Sequence, residues 1–187
     1  MSLKFAGTRW MPVSELGLVQ LYLSAQALEK ASASFSMESL CADPIKVYDF
    51  GNGRFTISPP EDMSRAFLAW QAGMSAVPVV YDPEDYLGYD GMQPLFLDEI
   101  LWGEKLGLHS IADLKDRILS DEDFRRRVIL RCERGNDLFM ETNPADLPAY
   151  AALRPDLHLY GISDDLKTLY FEDENEVETA LPVPENL

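Results

Sequence analysis

"FTISPPEDMSRAFLAWQAG", residues 55–73, runs from an extended segment into a helical one through two prolines and two acids. Phe55 and Ile57 alternate with Thr56 as a half-covered strand requires, and Phe67, Leu68, Ala69 and Trp70 fill the second half of a helix over 59–72 that Gly73 stops. Between them, Ser58, Pro59 and Glu61 fit a self-contained helix start: Ser58 as N-cap, Pro59 at the first helical position and Glu61 closing a capping box. Such a box consumes backbone N–H groups that would otherwise attract an anion.

Outward from this stretch the elements alternate. Upstream, "PIKVYDFGNGRFTIS" reads as a hairpin turned by Gly51-Asn52-Gly53, with Ile45 and Val47 on one face. Ser24 is the expected cap of a helix whose apolar face is Ala27, Leu28, Ala31 and Phe35, ending near Ser36. "RWMPV" at 9–13 is extended, held from helix by Pro12. Downstream, "AVPVVYD" is a strand, which completes strand, helix, hairpin, helix, strand within residues 9–82.

Beyond that point helices dominate. "DPEDYLGYDG" is turn-rich and reads as a surface loop, "QPLFLDEILWGEKLGL" as a helix, and "SIADLKDRIL" and "SDEDFRRRVILRCERG" as two more, each opened by serine and the second closed by Gly135. "LHLYGISDDLKTLYFEDE" alternates on both sides of a Ser-Asp-Asp turn as a second hairpin, and "DENEVETALPVPENL" reads as a frayed acidic tail.

The 187 residues, 47% apolar and 11% aromatic, suit one globular core, and no apolar run approaches the ~20 residues of a membrane span. No secretory signal is visible at the N-terminus, so a cytoplasmic address is expected. The formal charge of −16 repels phosphate backbones, which makes direct nucleic-acid binding an unfavourable expectation. Cys41 and Cys132 have no ligand spacing and read as small buried residues; His109 and His158 have no soft ligand, nucleophile or acid near them in sequence. No metal and no catalytic triad is expected.

The pieces "VSELGLVQLYLSAQALEKASASF", "PIKVYDFGNGRFTIS", "SRAFLAWQAG" and "AVPVV" together resemble the N-terminal domain of ParB partition proteins and the ParB/sulfiredoxin superfamily around it, over roughly residues 10–82. The resemblance implies an α+β fold, a small mixed sheet with flanking helices, as a core over 1–90; it does not reach the helical segment and hairpin that extend the core over 91–172, or the acidic tail over 173–187, which the residue pattern makes flexible. Counting back from Ala72-Gly73, the family tetrapeptide GERR, GHTR or GCHR falls on Asp62-Met63-Ser64-Arg65. Asp62 replaces the glycine that lets backbone approach phosphate, and Met63 stands where relatives carry glutamate, histidine or the sulfiredoxin cysteine. A thioether neither transfers protons nor acts as that thiolate.

The resemblance therefore implies a non-catalytic intracellular interaction or regulatory protein with a degenerate nucleotide loop. Its partner is expected to be a protein or a second copy of the chain, with no cofactor and no membrane. Two alternatives stay open. In one, the chain still binds or hydrolyses a nucleotide such as CTP or ATP with magnesium, or acts as a ParB-like nuclease, through Arg65, Ser64, Ser58, Glu61 and Asp62. Against it, a phosphate would meet two carboxylates. One such contact at about 4 Å costs roughly 4 kcal/mol at an effective dielectric near ~20, more than the ~0.3–1 kcal/mol from the helix dipole. In the other, Arg126, Arg127 and Arg131 form a nucleic-acid face on a helix whose first turn, Asp121-Glu122-Asp123, would repel it. Tyr81, Tyr86, Tyr89 and Trp102 are candidates for a groove beside Arg65, set against a plain core role.

Overall fold

The computed structural model describes residues 4–51, 54–88 and 93–184. Its class is α+β, with 42% helix and 22% strand in small sheets. Four strands, β1 (Arg9–Pro12), β3 (Ile45–Asp49), β4 (Phe55–Ile57) and β5 (Ala76–Tyr81), form a mixed sheet in the order β1-β5-β3-β4. β5 runs antiparallel to β1 and parallel to β3, with Ile45 opposite Val79 and Val47 opposite Tyr81; β3 and β4 are the expected hairpin. Asn52 and Gly53 of its turn lie outside the described residues. Gly17 shields the β4 edge: its N–H donates to the Phe55 carbonyl at 2.8 Å and its carbonyl accepts from Ile57 N–H at 3.1 Å. A Cβ there would stand 2.8 Å from Thr56 Oγ1, so this strap closes over the edge because residue 17 has no side chain.

The N-terminal helical run breaks in two. Ser24 caps α1 (Ala25–Ser32) through Ala27 N–H, as expected. The helix ends at Ser32 rather than near Ser36, because Ser36 turns extended and opens α2 (Met37–Ala42) through a reciprocal box with Ser39. α3 (Asp62–Gln71) ends as its glycine requires: Gly73 has φ +74°, and Met74 N–H donates to the Ala69 carbonyl at 3.0 Å. Met63, Ala66, Phe67 and Ala69 face the sheet residues Ile45, Val47, Ile57, Val77 and Val79 in one continuous core.

In the second half, α4 (Gln93–Lys105) follows its pattern. "SIADLKDRIL" does not form the expected α-helix. It is a 3₁₀ turn over Ile111–Asp116, and then β6 (Ile118–Leu119) pairs in parallel with β2 (Leu23–Ser24). Leu23 N–H draws the Arg117 carbonyl to 3.0 Å and the Leu21 carbonyl accepts from Arg117 Nε at 2.8 Å, which pulls the segment straight.

The arginine helix also differs from expectation. It comprises α5 (Asp121–Phe124), a π-turn over Arg125–Ile129 and α6 (Leu130–Met140), and Gly135 lies inside it rather than at its end. A Cβ at Gly135 would come 2.6 Å from Leu95 Cδ1 of α4 and 3.2 Å from the Tyr160 carbonyl oxygen, and one at Gly161 would come 2.5 Å from Arg134 Cβ. These two glycines let α6 lie directly on β7 (His158–Ile162).

β7 and β8 (Thr168–Glu172) are the expected second hairpin. The acidic tail is not frayed over its described length: β9 (Glu178–Pro182) pairs antiparallel with β8 from Thr168–Pro182 to Glu172–Glu178. Its backbone finds ladder partners and its acids find arginines, which removes the reason to stay solvated. A smaller core of Leu138, Tyr150, Ile162, Leu169 and Phe171 sits beneath this sheet, against α7 (Leu147–Ala151). Cys41 and Cys132 are free and exposed, not buried. Among the described residues no helix is long and apolar enough to cross a membrane.

Candidate functional site

Ser58 is buried between β4 and α3, and its role differs from the expected cap. Its hydroxyl donates to Asp82 Oδ2 at 2.7 Å, and Asp82 also accepts the N–H groups of Glu84 and Tyr86, each at 3.0 Å. The backbone N–H of Ser58 donates to the Lys46 carbonyl at 2.9 Å. The capping box is therefore absent. The carbonyls of Pro59 and Pro60 instead accept from the N–H groups of Asp62 and Met63, both at 3.1 Å, and Glu61 makes no side-chain cap and faces outward. A buried carboxylate partner outcompetes the local box for the serine hydroxyl.

Asp62 ties the helix start to the sheet. Its Oδ2 accepts from Lys46 N–H at 2.8 Å and its Oδ1 from Arg65 Nη1 at 2.8 Å. Burial raises its carboxyl above the usual range, partly opposed by the Lys46 and Arg65 bonds. Arg65 further pairs with Asp43 Oδ2 at 3.2 Å and donates to the Asp43 carbonyl. Met63 is 0% exposed in the core, and Ser64 is buried beside it. Of the five residues expected at a ligand loop, the structure joins only Asp62 and Arg65, and it joins them to each other.

The aromatic candidates separate as well. Tyr86 tilts against Phe96, Trp102 stacks on His158 at 4.3 Å, and Tyr89 lies outside the described residues. Trp102 thus belongs to the packing of α4 on the C-terminal sheet rather than to a groove beside Arg65.

A second constellation lies where the arginine helix meets that sheet. A cleft of about 280 Å³ is lined by Arg126, Arg127 and Arg131 from the arginine helix and by Glu172, Glu176 and Glu178 from the C-terminal sheet and its turn, together with Leu21, Tyr22 and Tyr160. Arg131 is 8% exposed. Its Nε donates to Glu99 at 3.0 Å and its Nη1 lies 2.7 Å from Glu172 Oε2, while the guanidinium covers the Tyr160 ring at 4.4 Å. Burial alone would favour its neutral form, but Glu99 and Glu172 outweigh it and raise its pKa. Arg131 is therefore not the exposed nucleic-acid contact that its sequence position suggests.

Arg127 Nη1 donates to the Tyr22 hydroxyl at 2.9 Å, and Arg126, the more exposed, donates to Asp123 Oδ1 at 2.8 Å. Tyr22 donates in turn to Glu176, which also receives Arg117. Burial, followed by the bond to Glu176, pushes the Tyr22 hydroxyl up to about 12. Arg134 bonds both the Tyr160 hydroxyl, at 2.9 Å, and Glu178, at 2.7 Å. The three arginines were legible as one face, but the opposing glutamates were not. The signal for Glu176 and Glu178 was the alternation of "EVETALP", in which Glu176, Glu178 and Ala180 alternate with Val177, Thr179 and Leu181.

His158 completes the junction: Nε2 lies 2.9 Å from Asp98 Oδ2 and Nδ1 lies 3.5 Å from Glu172 Oε1. Comparison of the chain with family models, with curated proteins and with solved structures returns no match.

Proposed function

We propose that the chain is a non-catalytic, ParB-like interaction or regulatory protein that works inside the cell and whose nucleotide loop has degenerated. The observation that carries this reading is the fate of the tetrapeptide at 62–65. Met63, at the position of the family's reactive residue, is 0% exposed, and Arg65 is committed to Asp62 and Asp43. A phosphate arriving there would have to displace two carboxylates from the arginine and would find no free serine at residue 58. The element order over 9–81 supports the resemblance on which the reading rests.

An interaction role is supported by β1, an edge strand paired on one side with β5 and carrying Trp10 at 56% exposure. A partner's strand can add to such an edge through main-chain hydrogen bonds.

The test is a thermal-shift series with CTP, ATP and magnesium. A ligand at a hundred times its dissociation constant adds about 2.7 kcal/mol, a shift of several degrees. The expected result is no shift at millimolar nucleotide. A saturable shift abolished by Arg65→Gln would establish the nucleotide-binding alternative instead.

A further inference from the structure

The cleft between the arginine helix and the C-terminal sheet is separate from the loop at 58–65 and stands independently of the reading of that loop. It owes its shape to the π-turn. In a regular α-helix, residues five apart point about 140° from one another. The i→i+5 bond from Leu130 N–H to the Arg125 carbonyl widens one turn and brings residues 126 and 131 round toward one side. Arg126, Arg127 and Arg131 thereby share a wall.

The arginines of this wall have donors left over. Among the described residues Arg131 Nη2 is buried with no hydrogen-bond partner, although Nε and Nη1 are both engaged. Arg127 spends Nη1 on Tyr22 and Arg126 spends Nη2 on Asp123, so each keeps further N–H groups. On the facing wall Glu178 gives only Oε2 to Arg134 and Tyr160, which leaves Oε1 to accept.

The lining carries three arginines against three glutamates, a local charge of zero on a chain of −16. A bare dianion would be repelled by one wall as it was held by the other, and a bare amine would meet the converse. A molecule with both charges satisfies both walls. The volume of about 280 Å³ lies just below the ~300–1,000 Å³ of drug-sized pockets and suits a single small metabolite rather than a nucleotide or folded segment.

We propose that this cleft binds a small zwitterion of the α-amino carboxylate class, with its carboxylate against Arg126 and Arg127, backed by the buried charge of Arg131, and its ammonium against Glu178 and Glu176. Tyr22 and Tyr160 line the cleft between the charged groups, their rings covered by Arg117 and Arg131.

Isothermal titration of the full chain with free L-amino acids, acetate, ethylamine and inorganic phosphate, each alone, tests this. At least one amino acid should saturate with a dissociation constant of about 1 mM or tighter, and its deaminated and decarboxylated counterparts should bind at least about tenfold more weakly. Arg127→Gln and Glu178→Gln, both at the rim, should each weaken that binding by about tenfold or more while the thermal melt stays cooperative. The proposal is overturned if no amino acid saturates by about 10 mM, if phosphate binds more tightly than every amino acid, or if both variants bind as the native chain does.

Discussion

Asp62 and Arg65 stand one helical turn apart at the start of α3, joined at 2.8 Å, while the other oxygen of Asp62 holds the Lys46 N–H at 2.8 Å. One carboxylate thus anchors the helix to β3 and neutralises the cation that the family resemblance would give to a ligand. Asp62→Ala leaves the Lys46 N–H without its acceptor in a buried place and strips Arg65 of one of its two carboxylates. A loss of about 2–3 kcal/mol is expected, read from the urea midpoint at constant slope. Asp62→Asn should cost less, because the amide oxygen can still accept from Lys46.

Arg131 is the charge at which the two halves of the molecule meet, between Glu99 on α4 and Glu172 on β8. Replacing it by alanine strands two carboxylates in the interior, and a destabilisation of about 3–5 kcal/mol is expected. Arg131→Ala with Glu99→Gln and Glu172→Gln should recover part of it. Equal stability of the single and triple variants would show that the pair is not the source of the loss.

The crossing of α6 on β7 rests on glycine. Gly161→Ala places a methyl 2.5 Å from Arg134 Cβ and 3.0 Å from the Arg134 carbonyl carbon, and a backbone neighbour cannot swing aside. A cost of about 1–3 kcal/mol is expected. Gly135→Ala should cost less, since its closest neighbour is the movable end of Leu95 and alanine returns up to about 1 kcal/mol of helix propensity. Denaturant melts of both variants would rank them.

His158 gives the junction a pH dependence. Burial alone would lower its pKa, but the bonds to Asp98 and Glu172 outweigh burial and hold it above the ordinary 6.5. A group raised on folding contributes stability that is complete below 6.5 and is lost as pH rises through the folded value. The melting temperature should therefore fall across that window, and His158→Gln should flatten this part of the profile. The same slope in the variant would assign it to other groups.

What was legible in the sequence was local. Ser24, Gly73 and the Ser163-Asp164-Asp165 turn act on chain a few residues away, so their patterns translate directly into a cap, a stop and a hairpin. The capping box at Ser58 was equally local, yet it lost to Asp82, 24 residues on, which no short window contains. The arginine face was visible as a cluster, but the π-turn left no mark in residue spacing, and Glu178 lies 44 residues from Arg134. The tail read as solvated charge because its neutralising arginines are remote, and without them its alternation lacked a sheet to join.

Tyr22 and Glu176 are 154 residues apart and share a hydrogen bond. Closing so long a segment is entropically unfavourable, and contacts of this separation form late. On a translating ribosome the arginine wall is made before the strand that faces it. Until residues 176–178 are in place, Arg117 and Arg127 lack Glu176 and Arg134 lacks Glu178. The last strand therefore ends an interval of exposed positive charge on a protein that is otherwise strongly acidic.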